Sequence, residues 1–143
     1  MATANLTSTV SSTITLDGRT YSLSKTTTVS NMTNVFQTRM TIGTSATDVL
    51  AFAAAAAAGT LTDLDYMMLV NHDTTNFCTI TIKVTGGDTS FFKLTAGAVF
   101  LLFNRSLDVN TTGAAFAAFN NINEIEITFD TASGDIELLA AFG

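Results

Sequence analysis

His72, the chain's single histidine, directly precedes Asp73 in the segment Asn71–Asn76, NHDTTN. An imidazole beside a carboxylate could act as a general base oriented by Asp73, or as a metal ligand. Cys78, six residues on, could add a nucleophile. Neither set is complete, because the chain has no second histidine and no serine elbow to finish a triad. The ordinary reading is a solvated turn in which Asn71, Asp73 and Asn76 bond their side chains to nearby backbone. The same three residues offer oxygens to calcium, but the D-x-[DN]-x-[DN]-G loop with its distant acid is absent. Cys78 falls on the face of Ile80, Ile82 and Val84 in an alternating run, where a thiol packs as a small hydrophobe.

Glu124, Glu126 and Glu137, with Asp130 and Asp135, contain the residue types of a paired-carboxylate glycosidase. Glu124 and Glu126 are two apart, however, which is the spacing of a solvated row on one strand face. Gly86–Ser90, GGDTS, lacks the Lys-Ser/Thr pair of a phosphate loop. Asn5, Asn31, Asn104 and Asn110 open glycosylation sequons that matter only on a secretory route. The aromatic residues are eleven Phe and two Tyr with no Trp, a set suited to cores and interfaces more than to sugar stacking. The sequence predicts no catalytic, cofactor-binding or metal-binding residue and no enzymatic activity.

The elements that carry these residues follow from composition and period. The 143 residues suit one domain, 1–143, large enough to bury a core without disulfides, and the one cysteine excludes an intrachain bridge. Hydrophobic residues make up 47% and charged residues 13%, an apolar balance that predicts surface to spare for an interface. The net charge is −6, and the six basic residues (Arg19, Lys25, Arg39, Lys83, Lys93, Arg105) are scattered, which argues against nucleic acid as a partner. No apolar run reaches 18 residues, so no helical membrane span is expected. The opening MATANLTSTV has neither the basic nor the apolar region of a secretory signal. Threonine makes up roughly a fifth of the chain, far above ordinary usage. It coats the wet face of a strand without adding charge.

Along the chain, Met1–Val10 reads as a flexible N-terminal arm. Ser12–Leu16 and Thr20–Leu23 flank Asp17-Gly18 as a hairpin, with Ile14, Leu16, Tyr21 and Leu23 on one face. Lys25–Asn34 reads as a loop or an edge strand. Val35–Ile42 alternates, with Phe36, Met40 and Ile42 inside and Gln37, Arg39 and Thr41 outside. Thr47–Gly59 fits a capped helix or, preferably, a strand at Val49–Phe52 followed by an alanine loop around Ala53–Ala58. Strands are expected at Tyr66–Val70, Phe77–Thr85, Phe91–Leu94, Val99–Phe103 and Leu107–Val109, with a turn at Gly86-Gly87-Asp88. Gly113–Asn121 reads as a segment in contact with a neighbour. Asn123–Phe129 should point Ile125, Ile127 and Phe129 inward and Glu124, Glu126 and Thr128 outward. After a turn at Thr131–Gly134, Ile136, Leu138, Ala140 and Phe142 form the inner face of a last strand. Leu139 and Ala141 make its other face apolar too, as on a strand buried from both sides. About ten evenly spaced strands predict an all-β, antiparallel β-sandwich or barrel.

The texture of LVNHDTTNFCTITI, FFKLTAGAVFLL and IEITFDTASGDIELLAAF resembles small virion proteins of tailed bacteriophages. The residues carrying the likeness are Asn71, Asp73, Asn76, Phe92, Leu94 and Gly97, with the closing strand pair Glu124–Phe129 and Asp135–Phe142; NMTNVFQTRMTIGTSATDVLAF upstream fits as well. The resemblance implies a jelly-roll-like β-sandwich that assembles on the phage particle. The implied role is a capsid decoration or cement protein binding between subunits of the major capsid protein, as a homo-oligomer with a trimer favoured. It would be made in the host cytoplasm and end on the virion surface. A tail, adaptor or fibre component of the same phage is the rival structural role, and a carbohydrate- or receptor-binding module the rival from another class.

Overall fold

β-branched and apolar residues alternate with polar ones along most of this chain, and the strands follow that period. The computed structural model describes residues 3–51, 64–84, 89–103, 108–109 and 120–143. Within them the regular structure is entirely β. The strands are β1 (Ala4–Leu16), β2 (Arg19–Met32), β3 (Asn34–Ile42), β4 (Thr47–Ala51), β5 (Leu64–Asn71), β6 (Cys78–Val84), β7 (Thr89–Leu94), β8 (Val99–Phe103), β9 (Asp108–Val109), β10 (Asn120–Phe129) and β11 (Gly134–Phe142).

Two sheets make the body. One has the order β3-β11-β5-β8, the other β4-β10-β6-β7 with β9 attached to β10, and β1 with β2 forms a separate hairpin. All pairings are antiparallel. Register places Ile125 beside Ile82, Ile127 beside Ile80 and Phe129 beside Cys78 on one inner face. On the facing sheet Leu138 lies beside Leu69 and Ala140 beside Met67. These side chains, with Ile136, Leu94 and Phe142, are buried in one cluster drawn from both sheets. Each large apolar side chain so buried contributes on the order of 1.5–3 kcal/mol. The antiparallel sandwich, its inward residues on β10 and β11 and the core position of Cys78 agree with the sequence expectation.

The double-sided apolar character of β5 and β11 has a physical cause, a third layer. Tyr66, Met68, Leu139 and Ala141 point away from the main core and pack with Leu101 and Phe103 of β8. Leu6, Val29 and Met32, at the base of the hairpin, close over them. Tyr66 and Phe103 meet edge to face, with centroids 5.4 Å apart. Val29 and Met32 are three apart and would face opposite ways on a regular strand. The register shift between Ala4 and Leu6, with Asn31 at φ 68°, inserts a bulge opposite Asn5 that turns both toward the body.

Two expectations need correction. Met1–Val10 is not a flexible arm throughout: Ala4–Val10 belongs to β1. Of the two readings of Lys25–Asn34, loop or edge strand, the edge strand is present as far as Met32, as the part of β2 paired from Ala4↔Met32 to Val10↔Lys25. Threonine-rich strands with few apolar residues pair here through backbone and cross-strand hydroxyls, a pattern that carries no hydrophobic signal. Phe36, expected inside, is 39% exposed: β3 ends its sheet, and among the described residues no strand pairs with its outer edge. The strand preferred at Val49–Phe52 is present through Ala51. Phe52 and the rest of Thr47–Gly59, the Gly86-Gly87-Asp88 turn, Leu107 and most of Gly113–Asn121 lie outside the described residues.

Candidate functional site

At the end of β5, Asn71 is fully buried. Its amide nitrogen donates to the carbonyls of Asn76 (3.0 Å), Leu94 (3.3 Å) and Thr95 (3.2 Å). Its Oδ1 accepts the Asp73 backbone N–H at 2.9 Å. Asp73 then accepts the backbone N–H groups of Thr75 (2.7 Å) and Asn76 (2.6 Å), which hold its carboxyl below the ordinary aspartate range. Asn71 and Asp73 are thus the internal braces of a turn, as the sequence reading preferred. Asp73 spends its carboxylate on that turn, and the partner of His72 is Glu137 of β11, with Nε2 2.9 Å from Oε2. That contact, ahead of a weaker one from Gln37, holds Glu137 below the usual carboxylate range. Beside it Asp135 accepts Thr41 Oγ1 at 2.6 Å and Arg39 Nη2 at 3.3 Å, and its pKa is lowered by Thr41 first and then Arg39. His72, Ser133 and Asp135 line a shallow open depression. Among the described residues no hydrogen bond joins Ser133 to the imidazole, so no nucleophile–base pair is assembled. The Cys78 thiol is fully buried, and burial pushes it up to about 11, far from a reactive thiolate.

The acidic row on the outer face of the second sheet gathers Asp48, Glu124 and Glu126, whose oxygens lie within 4.8 Å of one another. Lys83, on the neighbouring strand β6, bonds Glu124 at 2.8 Å and Glu126 at 2.6 Å. It holds Glu124 low, whereas Asp48 is raised by its hydrogen bond to Glu124 and by the surrounding negative charge. Cross-strand pairing with one lysine accounts for this row. Of the five candidate glycosidase carboxylates the row brings together Glu124 and Glu126, both bound to Lys83, while Asp130, Asp135 and Glu137 lie outside it.

The hairpin β1–β2 is the most unusual surface. Asp17 and Gly18 both have positive φ (50° and 74°), the type I′ geometry that a two-residue hairpin needs, and glycine takes it without a Cβ penalty. Register pairs Thr7 with Thr28, Thr9 with Thr26, Ser11 with Ser24, Thr13 with Ser22 and Thr15 with Thr20. One face is therefore hydroxyl throughout, with side-chain bonds of 3.2, 2.8 and 3.3 Å at the first, second and last of these pairs. The opposite face runs Leu6, Ser8, Val10, Ser12, Ile14 and Leu16 against Val29, Thr27, Lys25, Leu23, Tyr21 and Arg19. Its inner end packs on the body, and its outer end leaves Ile14 66% and Leu23 76% exposed, with Val10, Leu16 and Tyr21 exposed beside them. From Thr9 to the turn the ribbon is roughly 25 Å long, and every residue of it and of its return strand as far as Thr28 is exposed.

The shared face of Ile14, Leu16, Tyr21 and Leu23 was legible in the sequence; its continuation to Val10, Lys25 and the base was not. The missed signal is the strict two-residue spacing of Thr and Ser at 7, 9, 11, 13 and 15 and again at 20, 22, 24, 26 and 28. Compared with protein-family models, curated proteins and solved structures, the chain matches none.

Proposed function

We propose that this chain is a non-enzymatic structural protein of a tailed-phage virion, a decoration or cement protein that stabilises the head by binding between capsid subunits. One observation carries the assembly part of this reading: a two-stranded ribbon projects from the body and holds an apolar face open to solvent. An isolated two-stranded ribbon is marginal in water, and monomers rarely keep such a face uncovered. A surface of this kind is stabilised by being buried against something else. The virion part rests on the resemblance carried by Asn71, Asp73, Asn76, Phe92, Leu94 and Gly97.

The strand order supports a jelly roll. With the hairpin and β9 set aside, eight strands divide four to a sheet. The chain changes sheet at every step from β3 to β11 except the hairpin β6–β7 and, with β9 omitted, follows β8 in one sheet by β10 in the other. Two interleaved Greek keys produce such orders, and capsid and lectin domains are built on them.

The test is binding to particles. Added to capsids lacking it, the protein should bind saturably and raise their melting temperature, and labelled copies should map to the head in images of intact virions. Binding to purified tails alone would move the role to the tail, and binding to glycans but to neither heads nor tails would replace it with a receptor module.

A further inference from the structure

Apolar side chains stand exposed in two places among the described residues. On the body, Phe92 and Phe100 meet at 5.2 Å between the end strands β7 and β8. Beyond them Phe91 and Val99, both exposed, turn to opposite outer faces of the sandwich, so they form no continuous patch. The ribbon differs. Register sets its apolar face in five free rows, from Ser8–Thr27 to Leu16–Arg19, with Ser12–Leu23 in the middle. The next row inward, Leu6–Val29, is already packed on the body.

We infer that two copies of this chain dock ribbon to ribbon, apolar face on apolar face and antiparallel, about a two-fold axis at the Ser12–Leu23 row. The inference rests on the assembly reading above and names its partner, a two-fold pair in place of the trimer that the resemblance implies. The body sets the direction. It occupies the inner end of the face, so a second ribbon has room only with its tip pointing inward. Full overlap of the five free rows then puts the axis on the middle row, which faces its own copy, as an isologous contact requires.

Charge agrees with this alignment. Arg19 and Lys25 lie on the apolar face itself, paired with Leu16 and Val10. In the pair, Lys25 faces Tyr21 of the second copy and Arg19 faces Thr27, so no like charges oppose. An ammonium over a tyrosine ring is attractive, the more so where water is excluded. Leu23 meets Leu23, and Val10 meets Ile14. Withdrawing the ribbons by one row would set Lys25 against Arg19, and advancing them by one row would drive each tip into the covered row Leu6–Val29.

Area points the same way. Val10, Ile14, Leu16, Tyr21 and Leu23 expose roughly 600 Å² in each copy and about 1,200 Å² in two, the size at which stable interfaces begin. The stems of Arg19 and Lys25 on the same face add to it. The hydroxyl faces of both ribbons stay in water, which their composition suits.

An exchange of charges at the axis tests this. Leu23→Asp and Leu23→Lys each set like charges face to face in the pair, whereas a mixture of the two sets opposite charges together. Leu23 is 76% exposed, so both variants should keep the wild-type circular dichroism. If either does not, Ser12→Asp and Ser12→Lys, on the same row, serve instead. By sedimentation the wild type should dimerise at micromolar concentration, and each variant alone should dissociate at least ~30-fold more readily. An equimolar mixture should associate again, because only a row that faces its own copy gains from the exchange. A monomeric wild type, either variant associating like the wild type, or a mixture no tighter than its components overturns the inference. A monomeric wild type that still binds capsids overturns it while leaving the virion reading standing. Ribbon-dependent pairs that bind neither heads nor tails support it and remove the virion reading instead.

Discussion

Asn71 shows how a polar side chain can be more structural than the apolar ones around it. Fully buried, it satisfies three backbone carbonyls from two separate turns and accepts a fourth bond from Asp73. Asn71→Ala leaves those groups without their partner, and a loss of about 3 kcal/mol is expected in denaturant unfolding; a loss under ~1 kcal/mol would show that the turns hold without it. Asp73 makes a different prediction, in pH. Its folded pKa is lowered by the Asn76 and Thr75 N–H groups, so its stabilisation is fully present above the ordinary carboxylate pKa and is lost as pH falls through the lowered value. Asp135 and Glu137 share that sign, through Thr41 and Arg39 and through His72 and Gln37. The melting temperature of Asp73→Ala should lie below that of wild type at pH 7, and the gap should narrow below about pH 4. A gap that stayed constant or widened with acid would contradict the bonding described.

At the scale of the element, the β10–β11 connection depends on a close approach. A Cβ on Gly134 would overlap the ring of Phe129, itself buried at the end of β10. Gly134→Ala should therefore displace that ring and destabilise the sandwich by about 1–3 kcal/mol, measured against wild type by thermal or chemical melting. The hairpin behaves in the opposite way. Its tip is held by its own cross-strand bonds and its base by Leu6, Val29 and Met32. Leu6→Ala should cost the body stability, by about 1–2 kcal/mol for a half-buried side chain, whereas changes beyond Thr9 should not.

For the whole molecule, the sandwich holds the main buried core, and the ribbon beyond Thr9 is exposed along its length as far as Thr28. Replacing residues 10–25 by a two-residue turn should leave the melting temperature of the isolated body within a few degrees of wild type, because no described side chain of the body packs on the tip. Amide exchange should report the same division. In dilute solution the tip amides of Val10–Leu16 should exchange far faster than those of β10 and β11, and in the assembled state they should become protected. Equal protection in both states would show that nothing covers the ribbon.

Much of the fold was legible in the sequence because strand period is a local property. Ile125, Ile127 and Phe129 on β10, and Ile136, Leu138, Ala140 and Phe142 on β11, alternate so regularly that their inward face follows from spacing alone. Asp17-Gly18 likewise demands a tight turn, because few other dipeptides accept positive φ at both positions. Spacing also told that Leu139 and Ala141 are covered, but not by what. The cover is the base of the hairpin, brought over β5, β8 and β11 by one bulge at Asn31. The pairing of His72 with Glu137 rather than Asp73, the sheet orders, and the joining of Phe92 to Phe100 across two edges likewise link residues far apart in sequence. Such contacts are decided by which strands become neighbours, and alternation within a strand carries no information about that. By itself the sequence determined an antiparallel β-sandwich with apolar surface to spare; only the tertiary structure decided that this surface sits on a projecting ribbon and on a sheet edge.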